Sequence, residues 1–427
     1  MSILKEIPEL VEADVISQDT AEKIRDYYRQ KGGQSQGKLF IIFGILGAIL
    51  VGLGIMLIIA HNWDDLSRTS KTGLAFLPLI AGQALCVFTL VKKEVSVAWR
   101  ESASAFLFFA VGASISLISQ IYHIPGNLGA FILTWMLLCL PLIYLMKSSV
   151  TSLLYLIGIT YYAGETCYWS HPSSESYIYW ILLLLALPHY YLLYKKRPES
   201  NFMIFHNWLV PLSIIITLGT VSKSMEELMF VAYTSLFGLF YLIGNTPFFK
   251  RQSPRNNAYL TLGSLGTLSI LLTLSFNRFW EKLRTRDLQF YDVISSPEFI
   301  AILIISLMGA GLLYLLRKNK PFTDIQPTEP VFILFIFIFV IGLSSPLSVV
   351  LVNFLVFTIG VLTIKSGAKL NHLGILNYGL LIIMALVICK FFDSNLTFVT
   401  RGILFVSVGV GFFVANYLML KKRNKHE

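Results

Sequence analysis

Residues 61–65 read His-Asn-Trp-Asp-Asp, so His61, Asn62, Asp64 and Asp65 offer an imidazole, an amide oxygen and two carboxylates within a short run. Oxygen-rich sets of this kind suit a hard cation. A polar turn anchored by Trp63 at a membrane surface explains the same run without a metal and is the simpler reading. No metal site is assigned. A second set is spaced for one helix face: Gly112, Ser116, Gln120 and His123, with Tyr122 beside the imidazole. A third runs Thr151, Tyr155, Gly158, Tyr162, Glu165, again at helical spacing. Gln83 stands alone in another apolar run.

Polar side chains inside a bilayer need partners or water. Gln83, Ser116, Gln120, Tyr122, His123, Tyr155, Tyr162 and Glu165 are therefore the expected lining of a polar cavity, with His61, Asn62, Trp63, Asp64 and Asp65 at its outer mouth. A buried Glu165 would suit proton transfer, whereas a Glu165 near the end of its span simply reaches water. His189 and His206 have aromatic neighbours (Tyr190, Tyr191, Trp208) and read as interface anchors.

The elements that must position these residues are apolar helices. The stretch Leu39–Ala60 carries no charge and spans roughly 33 Å at helical rise, enough to cross a hydrocarbon core of about 30 Å. Such runs recur to residue 420. The chain has 427 residues, of which 55% are hydrophobic and 14% charged, against about 25% charged in a soluble domain. Mean hydropathy is +0.69. Long uncharged runs exclude an outer-membrane barrel, whose strands alternate. The expected fold is all-α and polytopic, with about fourteen transmembrane helices. They fall near 39–60, 72–91, 103–123, 126–146, 149–168, 177–194, 203–221, 228–244, 258–277, 298–316, 330–344, 346–364, 372–391 and 398–420. The pair 330–344 and 346–364 also fits a re-entrant hairpin.

The net charge of +10 does not point to nucleic acid, because Lys and Arg sit in short loops between apolar runs. Their loop-to-loop alternation predicts an even span count with both termini in the cytoplasm. Cys86, Cys139, Cys167 and Cys389 are far apart, without the spacing of a zinc site or a disulfide framework. No cofactor is expected.

Three regions follow: a cytoplasmic, helix-turn-helix-like head over 1–38, a membrane domain of about four spans over 39–150, and about ten further spans over 151–427. The head places Leu4, Ile7, Leu10 and Val11 at helical spacing, with Ser17 as an N-cap and Asp19 in the first turn behind it. The head is a candidate surface for a protein partner or self-association. The loop from Arg278 to Asp292 mixes charge and aromatics and reads as an interfacial helix, or else as a lid over a cavity. Gly44, Ala48 and Gly52, like Ser407, Gly411 and Ala415, are small residues spaced to let a neighbouring helix approach.

Several short motifs recur together in one group of membrane proteins. They are the leader Leu10-Val11-Glu12-Ala13-Asp14-Val15-Ile16-Ser17, then Ala21-Glu22-Lys23-Ile24 and Tyr27-Tyr28. Ala60-His61-Asn62-Trp63, Trp99-Arg100-Glu101, Gln120-Ile121-Tyr122-His123 and the Trp135 to Pro141 region follow. By these motifs residues 8–150 resemble the bacterial membrane-protein family called domain of unknown function 2157. In the leader, Asp14-Val15 stands where a Gly-Leu or Gly-Ile pair is common. The resemblance implies a bacterial inner-membrane location and brings no activity with it.

The sequence has no phosphate-binding GxxxxGK[ST] and no HExxH. The expected function is that of a transporter or flippase-like protein with a polar cavity among the first five spans. A non-transporting scaffold or sensor acting through the head is the alternative, and a lipid- or glycan-modifying membrane enzyme is the third reading.

Overall fold

The computed structural model describes residues 3–13, 15–26, 66–169, 174–223, 225–286, 290–318 and 326–393, with further helical positions between 42 and 57 and between 399 and 417. No strand occurs among the described residues. Among them, nine helices are long and apolar enough to cross a membrane, or ten if the bent pair Ala258–Thr273 and Asn277–Thr285 forms one span.

This corrects the expectation of about fourteen spans. It also removes the even-count argument that put both termini in the cytoplasm, because the apolar runs nearest the termini, 39–60 and 398–420, are described only in part. The reason is length rather than polarity. The run 149–168 forms a helix of 16 residues, Ser149–Gly164, that passes into a π-helical turn at Glu165–Trp169; at helical rise it covers roughly 24 Å. The run 330–344 forms only the 12-residue helix Val331–Gly342, roughly 18 Å long. The run 258–277 ends at Thr273 and turns by 72° into the next helix. The runs 39–60 and 398–420 are described only at interrupted helical positions, about half of each.

The chain forms two compact units. The first comprises Met1–Glu165 and Ile178–Phe202. It holds α1 (Ile3–Glu12), α2 (Arg68–Lys92), α3 (Val97–Tyr122), α4 (Leu128–Leu145), α5 (Ser149–Gly164) and α6 (Ile178–Lys196). A further helix occupies 18–26, where Ser17 Oγ accepts from the Thr20 amide at 3.3 Å, as an N-cap does. Hydroxyls and an amide also start the longer helices: Ser67, Ser96, Asn127 and Ser148 accept from amides three residues on in α2, α3, α4 and α5.

Small residues let α2 and α3 approach closely. Ala75, Ala103, Ala105, Ala110 and Ala113 are buried, and Ser114 Oγ donates to the Ala75 carbonyl at 2.7 Å. A Cβ on Gly44 would stand 3.0 Å from Ser102 Oγ, so the glycine permits a close approach to α3. On α3, Gly112 lies under the Trp135 indole, where a Cβ would come within 2.5 Å of the ring. The indole Nε1 donates to the Phe108 carbonyl at 2.8 Å. One end of this unit gathers Lys92, Lys93, Lys147, Lys195, Lys196 and Arg197, with the exposed Trp99, Tyr191 and Tyr194 nearby. Cations and aromatics at one end of a helix bundle mark a membrane–water boundary.

The second unit comprises Thr166–Tyr177 and Met203–Glu427. Its helices are α7 (Asn201–Leu218), α8 (Met229–Gly244), α9 (Ala258–Thr273), α10 (Asn277–Thr285), α11 (Pro297–Arg317), α12 (Val331–Gly342), α13 (Leu347–Lys369) and α14 (Leu373–Asp393). The central helix is α8, buried along nearly its whole length. Gly263 of α9 meets the α8 backbone at Phe237 and Tyr241, an approach that a side chain would block.

Buried carboxylates tie the ends of this unit. Glu298 Oε1, at the start of α11, accepts from the amides of Lys223 and Met225 at 2.7 and 3.0 Å. Glu227 pairs with Arg286, just after α10, and with Lys282 at 3.7 Å. Arg317 forks onto Glu329, with Nε 2.7 Å from Oε2. The mixed segment after Arg278 is thus a short helix whose Trp280 and Leu283 are buried.

The corner between α9 and α10 frees backbone carbonyls inside the unit. Trp280 Nε1 donates to the Leu274 carbonyl at 2.8 Å. The Ser275 carbonyl accepts from Asn353 Nδ2 of α13 at 3.2 Å and from the Lys390 ammonium of α14. A broken span is tolerated when its exposed backbone groups find partners in this way.

Candidate functional site

A cavity of about 1260 Å³ opens between α2, α3 and α4, wholly within the first unit. Gln83 of α2 and Ser116, Ser119 and Gln120 of α3 line it. The turn from Ile124 to Asn127 forms one end. Phe131, Leu138, Leu142 and Leu145 of α4 and Leu107 of α3 supply an apolar wall.

Most polar groups in the wall are already engaged locally. Ser119 Oγ donates to the Ile124 carbonyl at 3.1 Å, and Thr134 Oγ1 donates to that of Ala130 at 2.8 Å. Asn127 Oδ1 accepts from the Ala130 amide at 2.7 Å, starting α4. Ser114 is held by Ala75. The side-chain amides of Gln83 and Gln120 face the cavity and make no hydrogen bond to another described residue. Gly82, next to Gln83, packs on Leu107. Gln83, exposed part-way along α2, therefore lies roughly 20 Å of helix rise from Gln120 near the end of α3.

The expected site residues divide into three groups. Gln83, Ser116 and Gln120 line the cavity. Tyr122 and His123 stand at the same end of α3, exposed and outside the lining. Tyr122 places its hydroxyl 3.2 Å from Thr72 Oγ1, and the Arg68 guanidinium sits 4.8 Å from its ring centre. His123 ends α3 in a left-handed conformation (φ 51°), its amide donating to the Ser119 carbonyl. It takes a place more often filled by Gly or Asn.

Tyr155 and Tyr162 are fully buried and do not line the cavity. The Tyr155 hydroxyl donates to the Leu182 carbonyl of α6 at 3.3 Å. Glu165 is half-buried at the first position of the π-helical turn, again outside the lining. His61, Asn62, Trp63, Asp64 and Asp65 lie outside the described residues. Among the described residues no three His, Cys, Asp or Glu side chains gather to hold a metal.

His189 and His206, expected to be interface anchors, are both buried. His189 Nε2 lies 3.4 Å from Ser149 Oγ. The residue that sequence reasoning passed over is Glu101, 2% exposed. Its carboxylate accepts from Ser148 Oγ at 2.5 Å and from the amides of Ser149 and Val150 at 3.0 and 2.9 Å. Those amides open α5, so an acid on α3 satisfies the N-terminus of another helix. Ser104 Oγ adds a bond to Ser148 Oγ at 2.7 Å. The signal was Ser96, a cap that starts α3 at Val97 and carries Glu101 inside it.

Nine or ten apolar, membrane-length helices among the described residues, an open cavity between three of them and internally satisfied helix ends mark a multi-pass membrane protein. Residues 8–152 match the family described as "Predicted membrane protein (DUF2157)", and the match covers the head from residue 8 on, α2, α3, α4 and the whole cavity lining. No curated protein and no solved structure matches the chain.

Proposed function

We propose that the protein is a transporter or flippase-like protein of the bacterial inner membrane, and that its cargo enters the cavity between α2, α3 and α4. One observation carries this reading. Gln83 and Gln120 present amides to a cavity of about 1260 Å³ on membrane-length helices, with no described protein partner for either. An amide part-way along a membrane-length helix, as Gln83 is, is costly unless water or a ligand meets it. A volume of this size exceeds the usual range of roughly 300–1,000 Å³ for small-molecule sites.

Single cysteines placed at Gln83 and Gln120 in a background lacking Cys86, Cys139, Cys167 and Cys389 test the reading. A membrane-impermeant thiol reagent should label both positions, while a cysteine at the buried Tyr155 stays unlabelled. Thr69, exposed at the mouth end of α2 and outside the lining, serves as the positive control. A labelled control with no labelling at Gln83 and Gln120 would mean a dry bundle and would remove transport.

A further inference from the structure

We infer that the cavity between α2, α3 and α4 binds an uncharged amphiphile: one or two acyl chains on a headgroup that carries hydroxyls but no ionic group. This deepens the transport reading above and rests on the same cavity.

The first argument is charge. No Asp, Glu, Lys, Arg or His belongs to the described lining. An ionic headgroup drawn into such a wall would lose its hydration and find no counter-charge, which is far more costly than burying a hydroxyl that is hydrogen-bonded. The cations of this unit are instead placed at helix ends: Lys92 and Lys93 close α2, and Lys195 and Lys196 close α6. Arg68, at the mouth end of α2, is engaged by Tyr122 and by the Ile121 carbonyl.

The second argument is which groups remain available. Ser114, Ser119 and Thr134 donate to backbone carbonyls, and Asn127 Oδ1 accepts from a backbone amide. The Ser116 hydroxyl and the amides of Gln83 and Gln120 are left, each amide offering a carbonyl acceptor and N–H donors. An amide matches a hydroxyl in either direction and suits a neutral polyol or glycerol headgroup. The third argument is the wall. Phe131, Leu138, Leu142 and Leu145 follow one another along α4, and Leu107 faces them from α3. They form an apolar track with polar groups near one end and Gln83 part-way along. Acyl chain and headgroup need this division of chemistry in one pocket.

The full-length protein is reconstituted in phosphatidylcholine vesicles with a diazirine-tailed diacylglycerol or, separately, with phosphatidic acid bearing the same tails. After irradiation, crosslinks are mapped by mass spectrometry. Diacylglycerol should label the segment 127–145 at least threefold more than phosphatidic acid. Gln83→Leu and Gln120→Leu should each lower that labelling at least threefold, and Gln120→Glu, which keeps the polar character but adds a charge, should lower it as well. Lys93→Gln, outside the lining, should leave it unchanged. Circular dichroism melts on each variant separate loss of binding from loss of fold.

Equal or greater labelling by phosphatidic acid overturns the inference. So does diacylglycerol labelling that ignores both glutamines in folded variants. If the cysteine positions are water-accessible while diacylglycerol fails, the transport reading stands with another cargo. If diacylglycerol binds while the cysteines stay dry, the cavity is a lipid site and transport is withdrawn.

Discussion

Replacing Glu101 should unsettle the first unit more than any change at its surface. The carboxylate receives a hydroxyl and two backbone amides at 2.5–3.0 Å and sits at the N-terminus of α5. Glu101→Gln keeps the shape but leaves one carbonyl oxygen for two N–H groups, and turns an NH₂ towards donors. Losing one charge-assisted bond costs about 1.5–3 kcal/mol, and the interaction with the helix dipole adds up to about 2 kcal/mol in a partly buried setting. The Glu101→Gln variant should therefore lose about 2–4 kcal/mol. Glu101→Ala strands both amides of α5 and should cost more, about 3–5 kcal/mol, as removal of one partner from a buried charged network does. Unfolding of the purified protein in mixed detergent micelles, followed by circular dichroism, measures both. The reasoning is refuted if the Gln variant lies within about 0.5 kcal/mol of the parent, the usual range for a surface substitution. It also fails if Ala is tolerated better than Gln.

Other consequences follow from the second unit. Trp280 is fully buried against Gly342 and Phe339, so Trp280→Ala should cost about 3–5 kcal/mol in the same assay. Gly342→Ala should destabilise the parent by driving a methyl into the indole, and destabilise the Trp280→Ala variant much less; equal effects in both backgrounds would argue against that contact. Arg317→Met alone should cost about 3–5 kcal/mol by stranding Glu329, whereas Arg317→Met with Glu329→Leu should recover most of the loss. Asn353→Leu removes one donor from the Ser275 carbonyl but leaves Lys390 on it. Its cost should stay near 1 kcal/mol and rise sharply when combined with Lys390→Met in a double-mutant cycle.

Some of this is legible in the chain. Gln83 and Gln120 stand out in apolar runs, and both line the cavity. The stripe Tyr155, Gly158, Tyr162 has the spacing of one helix face, but periodicity does not say which neighbour a face meets. Here the Tyr155 hydroxyl is spent on the Leu182 carbonyl. Glu101 is hidden by a boundary: a span start at 103 leaves the acid outside, and the Ser96 cap brings it inside. Span counting overshoots because hydropathy reads composition and not where a helix stops. Ser149–Gly164 and Val331–Gly342 are as apolar as their neighbours but end early, and the corner at Leu274–Phe276 divides another run. His189 and His206 resemble boundary residues because aromatics flank them, yet both are enclosed by neighbouring helices.

The shared Ser275 carbonyl has a consequence for how the protein is made. Lys390 lies near the end of α14, and the oxygen that receives its ammonium belongs to a corner laid down more than a hundred residues earlier. During synthesis the corner between α9 and α10 precedes α14, and the charge enters the lipid phase near the end of that helix, when its receptor already exists. A chain that released α14 before the corner had formed would leave the Lys390 ammonium, in the last turn of the helix, without this acceptor. The order of translation thereby becomes part of the address that brings this helix to its neighbours.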